Sequence, residues 1–193
     1  MVRELSPEKR ERYLSTAVHL FAANGIQGTS TADIARQAGT AAGTLFLYFP
    51  TKQDLINEVV IWISRMEGDW IKSLLRPEQT VREVFFTIWD GSIRWLLDHP
   101  DASKITQLVQ VAGVVPPEVV LETARSFSFY YETISRALAL AEIKPVPVEL
   151  VGGFLYQGIA ASVNHIQHQG GMANAADTIQ QGFDIFWDGV RAK

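Results

Sequence analysis

The 193-residue chain has no cysteine. Disulfides and thiolate metal sites are therefore excluded, and a reducing compartment suits the composition. No apolar run reaches the ~18 residues that a membrane span needs. The longest, "VVIWIS" and "FLYQGIAASV", fall well short. The N-terminus, "MVRELSPEKRERYLSTAV", is charged and lacks the apolar centre of a secretory signal. A cytoplasmic chain with no membrane partner is expected. Motifs of catalysis are also missing: there is no glycine-rich phosphate loop, nucleophile elbow or metal-hydrolase pattern. His165 and His168 lie three apart, but no Asp, Glu or further His joins them at ligand spacing. No metal, no cofactor and no enzyme activity are expected.

Charge is sparse and uneven. The formal net charge is −4, which argues against a wholly basic nucleic-acid binder. Residues 1–52 nevertheless hold six Lys/Arg against four Asp/Glu, and the remainder holds 11 against 17. A mildly basic head precedes an acidic body. In the head, Arg3, Lys9, Arg10 and Arg12 interleave with Glu4, Glu8 and Glu11, the pattern of a solvated, salt-bridged face.

What the sequence does have is helical periodicity; convincing strand signals are missing. Leu14, Ala17, Val18, Phe21 and Ala22 share one helix face, with Ser6 as cap, Pro7 in the first turn and Gly25 as the stop. Ser30 with Asp33 three residues on opens a short second helix that ends at Gly39. A third runs from Thr40 or Ala41 to about Tyr48. Pro50 breaks the chain, and Thr51 with Asp54 starts a fourth helix over about 52–75, its stripe being Leu55, Val59, Trp62, Met66, Trp70 and Leu74. Further helices are expected over Thr80–Asp98, Ala102–Ala112, Glu118–Leu140, Pro147–Gln169 and Ala173–Val190. The fold class is all-α with about nine helices: residues 1–52 form one domain, 53–193 a second, and the fourth helix links them.

The stretch "GTAAGTLFLYFPTK", Gly39–Lys52, has one charged side chain. Two helices joined by a turn of roughly four residues around Gly39 give a helix-turn-helix signal, with the third helix as the recognition helix. Small uncharged residues on its exposed face permit close approach to bases. Over roughly residues 8–60 the sequence resembles the TetR family of transcriptional regulators. The resemblance is carried by Ser30-Thr31, Ile34-Ala35, Ala38-Gly39, Gly43-Thr44-Leu45-Phe46, Tyr48-Phe49 and Lys52 to Leu55, with Phe21 and Gly25 also in place. It implies that Thr31 contacts phosphate, that Ala42, Gly43, Thr44 and Leu47 face the groove, and that Tyr48 and Lys52 anchor the backbone of double-stranded operator DNA. Phe46 stands where the family usually has tyrosine, and Ala41 and Ala42 replace the commoner serine and a polar or basic residue. Leu45 and Phe49 read as core.

For the body the resemblance implies an effector pocket and a homodimer surface. Middle-helix aromatics suit a hydrophobic or cationic effector, with Trp62, Trp89, Tyr130 and Phe154 as candidate walls; equally, such rings simply fill a core. Asp90-Gly91 marks either space for a ligand or a close helix crossing. Small residues of the eighth helix (Gly152, Gly153, Gly158, Ala161 and Ser162) and the face of the ninth carrying Ile179, Phe183, Phe186 and Val190 suit a four-helix dimer interface. The alternative is that these two helices complete the monomer core. A helical enzyme or small-molecule carrier with a vestigial N-terminal motif is the competing function.

Overall fold

A computed structural model describes residues 5–113, 115–169 and 175–192. Arg3, Glu4 and the expected helix start at Ala173 lie outside the described residues. Within them are ten helices: α1 Pro7–Asn24, α2 Thr31–Gln37, α3 Ala42–Tyr48, α4 Lys52–Leu74, α5 Val81–Asp98, α6 Pro100–Ala112, α7 Pro117–Ser126, α8 Ser128–Ala139, α9 Val148–His168 and α10 Ala175–Val190. No strand occurs among the described residues; one isolated antiparallel bridge pairs Ile143 with Arg191. Among them, too, no helix is long and apolar enough to cross a membrane.

The tenth helix arises because the expected Glu118–Leu140 segment is broken at Phe127 (φ −115°, ψ 25°). No proline or glycine marks the break. Its cause is tertiary. A Cβ on Gly68 of α4 would lie 2.4 Å from the carbonyl oxygen of Ser126, so the two backbones meet where α7 ends.

The chain divides into two compact units, and the division differs from a cut after residue 52. The first unit is Met1–Arg65 with Pro100–Thr123; the second is Met66–His99 with Ala124–Lys193. In the first unit, α1 packs on α6, and His19 Nδ1 lies 3.0 Å from Asp101 Oδ2. Arg65 reaches Glu122 at 2.9 Å. These long-range contacts join α6 and α7 to the N-terminal helices. The first-unit part of α4 buries Leu55, Ile56, Val59 and Ile63.

The second unit is built on one apolar core of α5, α8, α9 and α10, with Ile71 of α4 in it. Met66 and Trp70, expected on the buried stripe of α4, are instead exposed. Trp89 is 1% exposed at the centre. It stacks on Phe186 with centroids 5.7 Å apart and donates its Nε1–H to Ile179 O at 3.0 Å. Gly91 belongs to a close crossing: a Cβ there would lie 3.0 Å from Leu74 Cδ1.

Candidate nucleic-acid interface

The first three helices are fixed by local chemistry that the sequence spells out. Ser6 caps α1 by accepting from Lys9 N, and Pro7 occupies the first turn. Ser30 caps α2 by accepting from Asp33 N at 3.0 Å. The end of α2 is a Schellman turn: Thr40 N–H donates to Ala35 O at 2.9 Å and Gly39 N–H to Arg36 O at 3.1 Å. Gly39 adopts φ +72°, a conformation in which a Cβ would be strained. This turn sets the angle at which α3 leaves α2.

A small buried network holds the turn to α1. Tyr13 Oη donates to Thr40 Oγ1 at 2.7 Å. The Tyr13 ring meets Tyr48 edge-on at 5.3 Å and Phe49 at 6.3 Å. Leu45 and Phe49 are buried, as expected of core positions. These contacts leave the opposite face of α3 outward. Ala42, Gly43, Phe46 and Leu47 are exposed, Leu47 by 66%, and Thr44 is partly so. Ala41 caps α3 without any side-chain hydrogen bond. Gly43 has nothing within 4 Å of where a Cβ would stand, so the fold itself does not require glycine there.

Polar groups flank this uncharged face. Thr31 is the first residue of α2 and Lys52 the first of α4, both partly exposed. Tyr48 Oη accepts the backbone N–H of Ser6 at 3.1 Å, which leaves its own hydrogen free to donate. Thr51 caps α4 by accepting from Asp54 N at 3.1 Å, while Asp54 Oδ2 accepts Thr51 N–H at 2.9 Å. The Asp54 carboxylate thus takes up part of the helix end beside Lys52. Arg36 is paired with Asp33 at 2.5 Å and sits on a solvated face. Arg10 pairs with Glu58 and lies 5.6 Å from the Phe49 ring.

Known proteins decide what this arrangement is. Residues 14–59 match the family model of bacterial regulatory proteins, tetR family. This segment carries the N-terminal domain of the tetR family. The chain is 34% identical over 90 residues to the HTH-type transcriptional regulator LuxR of Vibrio harveyi, covering 46% of this chain and 44% of that protein. It is 29% identical over 109 residues to the fatty acid metabolism regulator protein of Bacillus subtilis (strain 168), covering 52% and 54%. The match spans about half the length of these curated relatives. The fold is that of a tetR family transcription regulator from Shewanella sp. PV-4, with a TM-score of 0.89 and 26% identity over 96% of this chain and 99% of that one. These TetR-family relatives are transcriptional regulators, not enzymes.

The second-unit candidates are scattered. Trp62 lies half-buried in the first unit instead. Trp89 is not a wall but the centre of the core, its indole filling the space left by Gly158 and Gly182. Phe154 is 61% exposed on the outside of α9. Tyr130 is partly buried and its hydroxyl lies 2.9 Å from Ser92 Oγ. Of the dimer candidates, Gly153 and Ala161 face outward. Ile179, Phe183 and Phe186 do not; they pack into the unit's own core. An apolar stripe reports burial, and here the covering partner is α5 and α9 of the same chain. The large apolar side chain that α10 leaves outside is Ile185, 77% exposed.

Sequence reasoning also missed Glu67. Burial pushes its carboxyl up to about 7, against a hydrogen bond from Ser92 that favours the charge. A lone glutamate on a long amphipathic helix reads as solvated. The available signal was Ser92, a hydroxyl amid the apolar residues of α5, and tyrosines on α8 and α9.

Proposed function

We propose that the chain is a ligand-responsive transcription regulator, a repressor that binds a palindromic operator as a homodimer and leaves it when a small hydrophobic or cationic effector binds. The observation that carries this is the outward face of α3, uncharged and small, on a rigid turn between Thr31, Tyr48 and Lys52. In this reading α3 enters the major groove, and Thr31, Tyr48 and Lys52 hold phosphates on either side. Ala42, Gly43, Thr44 and Leu47 meet the base edges. With so few polar atoms there, recognition draws on thymine methyl groups and on DNA shape.

The homodimer forms through the outward faces of the last two helices. Leu150, Gly153, Phe154 and Ala161 of α9 recur at helical spacing, and Ile185 of α10 adds to them. A two-fold dimer brings two recognition helices to half-sites about 34–36 Å apart, or a multiple of that. The effector acts by binding the DNA-incompetent state more tightly, since only differential affinity shifts the equilibrium. Residues of α4 occur in both units, so α4 is the element through which the effector acts.

Gly43→Ala separates this reading from a structural role. Gly43 is the second residue of α3, where alanine is favoured over glycine by less than the about 1 kcal/mol of a helix interior, and nothing in the fold blocks the methyl group. Thermal melting should hold or rise by up to about 2 °C, while operator affinity falls about tenfold because the backbone no longer approaches the groove. A variant that keeps its stability and binds DNA as before would contradict the placement of Gly43 in the groove.

A further inference from the structure

Ser6 at the cap of α1, with Arg10 and Tyr13 inside it, stands at the four- and three-residue spacing of one helix face. That face closes on the end of α3. Ser6 N–H donates to Tyr48 Oη, and the Tyr13 ring meets Tyr48 and Phe49 edge-on. Arg10, between them, reaches further. Its guanidinium carbon lies 5.6 Å from the centroid of the Phe49 ring, within cation–π range. Its Nη2 is ion-paired with Glu58 Oε2 of α4. Phe49 is the residue at which α3 ends, with φ −137° and ψ 97°, and it is 1% exposed. The α4 helix starts at Lys52. One side chain from α1 therefore touches the last residue of α3 and the body of α4 at once.

Arginine suits that double contact. Its flat guanidinium offers a face to a ring and an edge to a carboxylate, which a lysine ammonium cannot do together. The pair adds little to stability, since the Arg10 and Glu58 side chains are 39% and 37% exposed. What it supplies is direction: the α3–α4 link is held against α1 from two sides.

We infer that Arg10 is a positioning residue for DNA binding: held by Glu58 and seated on Phe49, it fixes the direction of α3 without touching DNA itself. The inference rests on the reading of α3 as the recognition helix and assigns that helix its support. An arginine in the basic head could instead hold a phosphate. The geometry points away from that role. The guanidinium already has its face on Phe49 and an edge on Glu58. A phosphate brought to it would also meet the Glu58 carboxylate, like charge against like.

The test compares Arg10→Ala, Arg10→Lys, Glu58→Gln and the Arg10→Ala/Glu58→Gln double variant with the wild-type chain. Two duplexes of equal length are used: the palindrome that the wild-type protein enriches from random DNA, and a shuffled sequence of the same composition. Arg10→Ala and Glu58→Gln should each weaken binding to the palindrome about tenfold, as a competent fraction of about a third in each of two heads would give. The double variant should be no weaker than either single one, because both remove the same contact. Arg10→Lys should recover part of the loss, keeping the charge but not the flat face. Binding to the shuffled duplex and the salt slope on the palindrome should stay at wild-type values, since no phosphate contact is lost. On the free protein, the Phe49 amide, bonded to Leu45 O at 3.0 Å, should exchange its hydrogen several-fold faster in both single variants, with melting unchanged.

A phosphate-binding arginine gives the opposite pattern. Arg10→Ala would then weaken both duplexes and shrink the salt slope by about 0.9, and Glu58→Gln would tighten binding by freeing the guanidinium. That pattern overturns the assignment. So does wild-type affinity of Arg10→Ala for the palindrome, a loss matched by a fall in melting temperature, or unchanged exchange at Phe49. A wild-type chain that binds neither duplex sinks the regulator reading instead. The exchange measurement, made without DNA, then decides by itself whether Arg10 holds α3.

Discussion

Replacing Lys52 by alanine and Tyr48 by phenylalanine together should weaken operator binding about a hundredfold at moderate salt. In the proposed docking, Tyr48 at the end of α3 and Lys52 at the start of α4 hold phosphates and read no bases, so the loss should be nearly the same on every DNA sequence. Lys52→Ala removes one phosphate neutralisation, so the slope of log affinity against log salt should shrink by about 0.9. The affinity lost with it is about tenfold. Tyr48→Phe removes a neutral hydroxyl and should leave the salt slope unchanged. Its ring packing on Tyr13 and Phe49 is retained, and the fold loses only the acceptor for Ser6 N–H. A gel-shift or anisotropy titration at several salt concentrations distinguishes the two contributions. Wild-type affinity in the double variant would place DNA on some other surface.

Trp89→Ala should be the most damaging single change to the second unit, costing about 3–5 kcal/mol in urea unfolding. The ring is fully enclosed, stacked on Phe186 and edge-on to Phe183 at 6.1 Å. The Nε1–H bond to Ile179 O would be lost as well, although that carbonyl keeps its place in the α10 hydrogen-bond ladder. The two glycines that admit the ring are equally exacting. A Cβ on Gly158 would lie 2.6 Å from Trp89 Cη2, and one on Gly182 2.9 Å from Cζ2. Gly158→Ala should therefore also destabilise, against the usual preference of helices for alanine. A loss below about 1 kcal/mol for Trp89→Ala would mean that the indole lines solvent-accessible space, as a pocket wall would.

These two predictions fall on parts of the chain that were unequally legible. The helix-turn-helix is written in local chemistry: Ser6, Ser30 and Thr51 as caps, Gly39 where φ is positive, Leu45 and Phe49 as the inward side of a seven-residue helix. Each signal acts within four or five residues, so sequence spacing reveals it. The second unit is set by contacts across the chain. Gly158 and Ser162 suggest a surface for another helix, yet Gly158 makes room for an indole 69 positions earlier in the sequence, and Ser162 Oγ would lie 2.8 Å from a Cβ on Gly182 of α10. The stripe of Ile179, Phe183 and Phe186 is real, but periodicity does not say which partner covers it. The break at Phe127 is likewise invisible, because it answers to the missing side chain of Gly68. Glu67 escaped notice for the same reason: only folding places it beside Ser92.

The central claim, that the chain reads DNA as a symmetric pair through α3, is tested most directly by selection. Random duplexes are retained on the purified protein at about 0.15 M salt, amplified over several rounds and sequenced. The account predicts an enriched palindrome whose half-sites lie one helical turn, or a multiple, apart, with A·T-rich positions that tolerate few changes of shape. A pool that shows no enriched motif, or a single unpaired half-site, would contradict it.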